Sequence, residues 1–311
     1  MKYKFDAKRF KRNFRRDWQL HLYMAVPVIY LIIFDFIPMY GLQIAFRDFR
    51  PADGITKSQW VGFKWFKEFL ESPDFPLIFG NTIKLSLYDL CTFPLPICFA
   101  LVVHALRGEK YKKVFQTISY MPHFISTAVM IGIVNMLLSP VSGLYGNIYR
   151  IFGGNGYPID FRATAAAFPH IFIWSGIWQS LGWMAVMYIA ALSSVPQELH
   201  EAAQIDGASR LKRMWYVDLP AIAPTIAMML IMRCTSLISV GFEKVYLMQS
   251  ELNLTVSEVI ATYTFKKGLS SFRSYSYGAA VGMFNTFVNL GILIIANEIV
   301  KRATDGDVCL F

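Results

Sequence analysis

The chain is predicted to be an all-α, polytopic membrane protein with six transmembrane helices. Its 311 residues are 55% hydrophobic and 16% charged, with a mean hydropathy of +0.41, which is too apolar for an ordinary soluble domain. Six stretches, near 20–46, 78–106, 114–138, 165–193, 221–247 and 275–300, are long enough to cross a bilayer, a crossing that takes roughly twenty apolar residues as helix. Short basic connections alternate with three longer ones, 47–77, 139–164 and 248–274.

The N-terminal segment, residues 1–19, holds eight of the thirty Lys and Arg residues, all between Lys2 and Arg16. A net charge of +9 could suggest nucleic acid, but charge concentrated beside a membrane span sets topology and meets anionic lipid headgroups. A basic stretch followed by apolar residues also describes a signal peptide. The run from Leu20 to Phe46 is too long for one and no small-residue cleavage site follows, so it reads as a retained first span.

The first outer connection sets Trp60, Phe63, Trp65, Phe66, Phe69 and Leu70 among Lys64, Lys67, Glu68 and Glu71. That pattern suits first an amphipathic helix at the outer interface, with a docking surface for an extracellular partner as the alternative. The second, with Gly153, Gly154, Gly156 and Pro158, reads as irregular loop. In the last span Gly278 and Gly282 are four apart and suit either close helix contact or internal packing. The apolar region covers 20–302, and a tail of 303–311 is too short to fold alone.

Orientation follows from counting basic residues. The N-terminus (eight), Arg107 to Lys113 (four), Arg210 to Arg213 (three) and Lys301 with Arg302 (two) make seventeen in short segments, against ten in the longer connections. Both chain ends and the loop around Glu201 are expected in the cytoplasm. The four cysteines, Cys91, Cys98, Cys234 and Cys309, have no CxxC spacing and imply neither a disulfide framework nor a zinc site.

The loop from 194 to 220 is the one polar, charged hairpin between long apolar spans. Ser194 and Gln197 have capping-box spacing, which starts a short helix running to about Asp206, and Gly207 stops it. Ser209 caps a second short helix that ends before Leu219 and Pro220. Leu199, Ala202 and Ala203 share the face that rests on the protein, while Glu198 and Glu201 point away.

Glu201-Ala202-Ala203, Gly207, Val217, Leu219 and Pro220 resemble the EAA-x3-G-x9-I-x-L-P loop of permease subunits of bacterial binding-protein-dependent ABC importers, with Val217 in place of Ile and Asp206, Ala208 and Pro224 also present. The resemblance implies a type I importer permease fold and assigns Glu201, Ala202, Ala203, Asp206, Gly207, Leu219 and Pro220 to coupling with an ATPase. It further implies a second, homologous permease subunit in a heterodimer, two ATPase subunits holding ATP and Mg, an extracellular solute-binding protein, and a place in the bacterial cytoplasmic membrane. No cofactor is expected in this chain and no nucleic-acid partner. Met121 to Ser126, the Trp178-Gln179…Gly182-Trp183 pattern and Ile37 to Gly41 look like the oligosaccharide-uptake branch, in the subgroup linked to complex plant or host glycans.

The residues themselves exclude some chemistry. There is no GxxxxGK[ST] phosphate-cradling loop, no HExxH and no Gly-x-Ser-x-Gly. A transport subunit is expected, not an enzyme. Indole stacks on the CH faces of sugars and amides meet their hydroxyls, so Trp174, Trp178, Gln179 and Trp183 in the fourth span are candidates for a carbohydrate path. Tryptophan at helix ends also anchors membranes. Asn135 and Arg233 join the candidate path, and the intramembrane ionisable residues Asp35, Lys84, Asp89 and Arg233, with Glu243 and Lys244 nearby, suit interhelical pairing or a translocation route. Two rival readings remain: a permease for another solute such as an amino acid or phosphate, and a membrane enzyme acting on lipid-linked sugar.

Overall fold

A computed structural model describes residues 16–106, 108–270, 274–304, 306, 308 and 309. Of the basic N-terminal cluster, Lys2 to Arg15 lie outside these, as do Arg107 and, in the tail, Asp305, Asp307, Leu310 and Phe311. The regular structure of the described chain is helical except for a two-residue antiparallel ladder, Arg47–Asp48 with Gln59–Trp60.

Three unbroken stretches are long and apolar enough to cross a membrane: Trp18–Phe46, Phe75–Ala105 and Tyr275–Ala303. The helix Phe168–Ser193 has 26 residues and no Asp, Glu, Lys or Arg. At 1.5 Å per residue it reaches about 39 Å, long enough to cross a bilayer. The remaining two predicted spans are broken.

The stretch expected as one span over 114–138 is instead Glu109–Phe124 joined to Thr127–Leu137 at a bend of 100°. Pro122 tightens the end of the first helix into a 3-10 turn, Ile125 and Ser126 are extended, and the Ser126 side chain accepts from Val129 N to start the second helix. The stretch expected over 221–247 is helical only from Ala223 to Cys234 and again from Phe242 to Met248. Between them the backbone leaves the helix, and Asn289 of the last span fills the vacancy: its Oδ1 accepts from Ile238 N (3.0 Å) and its Nδ2 donates to Ser239 Oγ (3.0 Å). Irregular backbone at membrane depth is tolerated where such partners exist or a cavity is lined; both hold here.

Proline shapes the other helices. Five-residue π-turns occupy Ile32–Phe36 and Met214–Asp218, each ending two residues before a proline, Pro38 and Pro220. A proline ring collides with the carbonyl four residues earlier, here that of Phe34 and of Tyr216, and widening the turn relieves the collision without ending the helix.

The helix Phe168–Ser193 lies at the centre, packed along Pro94–Ala105, with Ala185, Tyr188 and Leu192 buried against Ile97, Ala100 and Ile222. At the opposite end Phe69 is buried among Ile78, Ile260, Tyr263 and Tyr277. The expected interfacial helix of the first outer connection is thus only Lys64–Leu70: Phe69 turns into the core, Trp65 Nε1 donates to Arg47 O (2.9 Å), and Trp60 and Phe63 remain exposed. Gly278 meets Gly268 within the chain, whereas nothing approaches Gly282 within 4 Å.

Gly182 is where the helices Phe168–Ser193 and Glu109–Tyr120 touch. A Cβ there would fall on the Ser119 carbonyl, well inside van der Waals contact, and backbone cannot rotate away. Gly182→Val is therefore expected to destabilise the protein by about 1–3 kcal/mol through overpacking. Thermal unfolding in detergent measures it, with Gly282→Ala as the neutral control. An unchanged midpoint for Gly182→Val would contradict this packing.

Candidate functional site

Two regions carry functional chemistry: the polar hairpin and a central cavity. In the hairpin the first helix spans Gln197–Ile205 and ends in a paired motif, Gly207 N to Gln204 O (3.0 Å) and Ala208 N to Ala203 O (2.9 Å), with Gly207 at φ +76°. Those two bonds satisfy the last carbonyls and require the left-handed conformation that glycine adopts without strain. Ser209 accepts from Lys212 N and starts the second helix as expected.

Three details differ from the sequence expectation. Ser194 caps nothing ahead of it; its hydroxyl donates back to Ala191 O (2.7 Å), at the end of the central helix, and Pro196 precedes the hairpin helix without a side-chain cap. The second helix does not stop before Leu219 and Pro220, since the π-turn carries it through Leu219–Ala221 to a 63° bend at Ile222. And the face resting on the protein is His200 with Ala203, while Leu199 and Ala202 are exposed.

The outward face combines charge and grease. Glu201 Oε1 accepts from Gln197 Nε2 (2.9 Å), which holds the carboxylate in place on an exposed surface, and Asp206 is exposed beside it. Leu199, Ile205, Leu211, Trp215 and Tyr216 are exposed on the same hairpin, Ile205 at 88% and Tyr216 at 80%. Large apolar side chains gathered on a polar connection mark a surface for contact with another protein or with the membrane. Leu219 is half-buried and Pro220 exposed at the hairpin's foot.

The cavity, of about 270 Å³, opens beside the broken fifth span. Ser86 and Asp89 line it from Phe75–Cys91, Gly176 and Ser180 from the central helix, Arg233 and Lys244 from either side of the break, and Ser239 from within it. Arg233 Nη2 donates to Asp89 Oδ2, so two of the intramembrane ionisable residues pair with each other. Lys244 Nζ donates to Phe172 O and sits over the Phe172 ring, leaving the cavity two cations and one carboxylate. Asp35, Lys84 and Glu243 are exposed and line none of it.

Of the six residues expected along the path, Arg233 alone lines this cavity. Trp174, Trp178 and Trp183 are about half-exposed on other faces of the central helix. Trp174 Nε1 donates to the Tyr88 hydroxyl (3.1 Å), Gln179 Nε2 donates to Ile125 O (2.7 Å) at the bend of the third span, and Trp183 stacks on His123 (4.6 Å, 2°). Asn135 lines a separate cavity beside the connection 139–164, with Asp160 and Arg162. There the Arg162 guanidinium, hydrogen-bonded at 2.6 Å, holds the Asp160 carboxyl below its ordinary range. Sequence reasoning missed Ser86, Ser180 and Ser239, because a lone serine in an apolar span gives no signal until the helix break beside it is known.

Comparison with known proteins agrees with this geometry. Residues 94–302 match the family described as binding-protein-dependent transport system inner membrane component. The chain is 38% identical over 289 residues to Protein LplB of Bacillus subtilis (strain 168), covering 93% of this chain and 90% of the relative. It is 36% identical over 306 residues to the polygalacturonan/rhamnogalacturonan transport system permease protein YteP of the same organism, covering 96% and 94%. It superposes with a TM-score of 0.86 on a chain of a bacterial alginate ABC transporter, crystallised in complex with an alginate pentasaccharide-bound periplasmic protein, at 34% identity and covering 96% of this chain and 99% of that one. With the hairpin motif, the broken spans and a match over most of its length, this chain belongs to the binding-protein-dependent inner membrane components, the multi-pass permease subunits of ABC importers, and is a transport subunit, not an enzyme.

Proposed function

We propose that the chain forms half of the translocation path of an ATP-driven oligosaccharide importer and receives motion from a separate ATPase through the hairpin 197–221. The observation that carries this is the exposed hairpin surface itself, with the anchored carboxylate of Glu201 amid Leu199, Ile205, Trp215 and Tyr216. It enters an ATPase cleft in the cytoplasm, as the excess of basic residues in the short connections supports. Glu201 pairs with a basic residue of the ATPase, where ATP and Mg are bound. A second, homologous permease covers the exposed face of the first span, and a solute-binding protein delivers sugar from outside. Closing of the ATPase dimer pulls the hairpin and rocks the spans about the central cavity.

The sugar on this reading carries carboxylates. Arg233 and Lys244 against Asp89 leave the cavity with an unmatched cation, and guanidinium binds carboxylate in bidentate fashion. The description of a bacterial alginate ABC transporter names an acidic polysaccharide and that of YteP names polygalacturonan/rhamnogalacturonan, and both agree with that chemistry.

Two experiments test the reading. Copurification from membranes is expected to recover two ATPases and a second permease, with a photocrosslinker at Ile205 attaching to the ATPase; attachment only to an external protein would overturn it. In the reconstituted complex, uronate oligosaccharides presented by the binding protein are expected to stimulate ATP hydrolysis and neutral ones not. Equal stimulation by neutral sugars would remove the acidic-substrate part alone.

A further inference from the structure

The root of the hairpin holds a cluster that coupling does not use. His104 ends the second span, His200 lies on the inward face of the hairpin helix, and Asp218 closes the π-turn before the fifth span. One ligand atom from each lies within 4.8 Å of the others. His200 and Asp218 belong to the two arms of one hairpin, and His104 comes from a span some ninety residues earlier, so no short sequence spacing announces the three together.

Two features set this cluster apart from a surface ion pair. The Asp218 side chain is only 4% exposed and, among the described residues, forms no ion pair with any lysine or arginine. Its Oδ1 is 3.2 Å from His200 Nε2 but off the line of a hydrogen bond, and among the described residues it has no other hydrogen-bond partner. A carboxylate so buried and so incompletely satisfied is costly unless something else completes it. The cluster also faces a cavity of about 510 Å³ lined by Gln197, Gln204 and Arg213, which gives an entry path.

We propose that His104, His200 and Asp218 bind a divalent transition-metal ion, with Zn²⁺ the best fit. Two imidazoles and one carboxylate are the donor set of open zinc sites, in which water takes the fourth position. Zinc bonds of about 2.0–2.2 Å in a tetrahedron put neighbouring donors roughly 3.3 Å apart, and the His200–Asp218 separation of 3.2 Å already has that value. His104 then closes in from the end of its span. Lys112 and Glu109 both act on His104 electrostatically, with opposite signs. A bound ion fastens the hairpin helix to the cytoplasmic ends of two spans, so metal occupancy sets how rigidly the ATPase's motion reaches the membrane.

The test uses the full chain in detergent, purified without a polyhistidine tag. Titration with Zn²⁺ is expected to give a single saturable equivalent, and Co²⁺ to give the visible spectrum of a tetrahedral site, while Mg²⁺ gives neither. His200→Gln and Asp218→Asn, each checked by thermal unfolding, are expected to lose both signals. His123→Ala and His170→Ala keep them. Absence of a saturable equivalent in the parent chain, or its persistence in both His200→Gln and Asp218→Asn, would reduce the cluster to a histidine–carboxylate pair and overturn the proposal.

Discussion

A Gly207→Pro chain is expected to insert and assemble normally and to transport nothing above background. Gly207 has φ +76°, whereas proline is locked near −65°, so the turn cannot keep its shape. The substitution also removes the N–H that donates to Gln204 O and blocks the adjoining bond from Ala208 N to Ala203 O from forming in register. The two short helices would then lose their fixed angle, and with it the placement of Glu201 relative to Trp215 and Tyr216. Nothing lies within 4 Å of a Cβ at this position, so packing is not at stake. Gly207→Ala meets only the left-handed penalty of about 1–2 kcal/mol and should retain part of the activity. Substrate-stimulated ATP hydrolysis and vesicle uptake, measured on complexes of verified composition, separate the two variants. Full uptake by an assembled Gly207→Pro complex would remove the hairpin from the coupling route.

The hairpin was legible because its signals are local. Gly207, Ser209 and the outward placement of Glu198 and Glu201 act within a few residues, and the structure keeps each of them. The Ser194 cap failed because the hydroxyl had a nearer acceptor, Ala191 O, on the helix it follows. Apolar runs located the membrane region well but not its breaks. Hydropathy averages over a window, so the 100° bend after Phe124 and the gap from 235 to 241 vanish into apolar surroundings. What makes the second break tolerable is Asn289, some fifty residues downstream, which completes the backbone at Ile238. Such long-range satisfaction has no periodic trace. The same limit hid the meeting of His104, His200 and Asp218.

Arg233→Leu is expected to lower uptake by at least about tenfold, and the reason can be divided experimentally. Arg233 pairs with Asp89 across the cavity, their side chains 30% and 38% exposed. Removing one partner strands a carboxylate in an apolar span, which in a fully buried pair costs about 3–5 kcal/mol; access to the cavity makes the cost smaller here. If pairing were the sole role, Asp89→Leu with Arg233→Leu would restore both stability and transport, since no charge is left unmatched. If the guanidinium also receives the carboxylates of the sugar, the double variant recovers its unfolding temperature but not its uptake, and Asp89→Asn alone, which frees Arg233, keeps or raises affinity for acidic oligosaccharide. The second pattern is expected, because Lys244 is committed to Phe172 O and leaves Arg233 as the cation best able to exchange one carboxylate for another. Recovery of uptake in the double variant would make the pair structural and shift substrate recognition to the serines and the helix break around it.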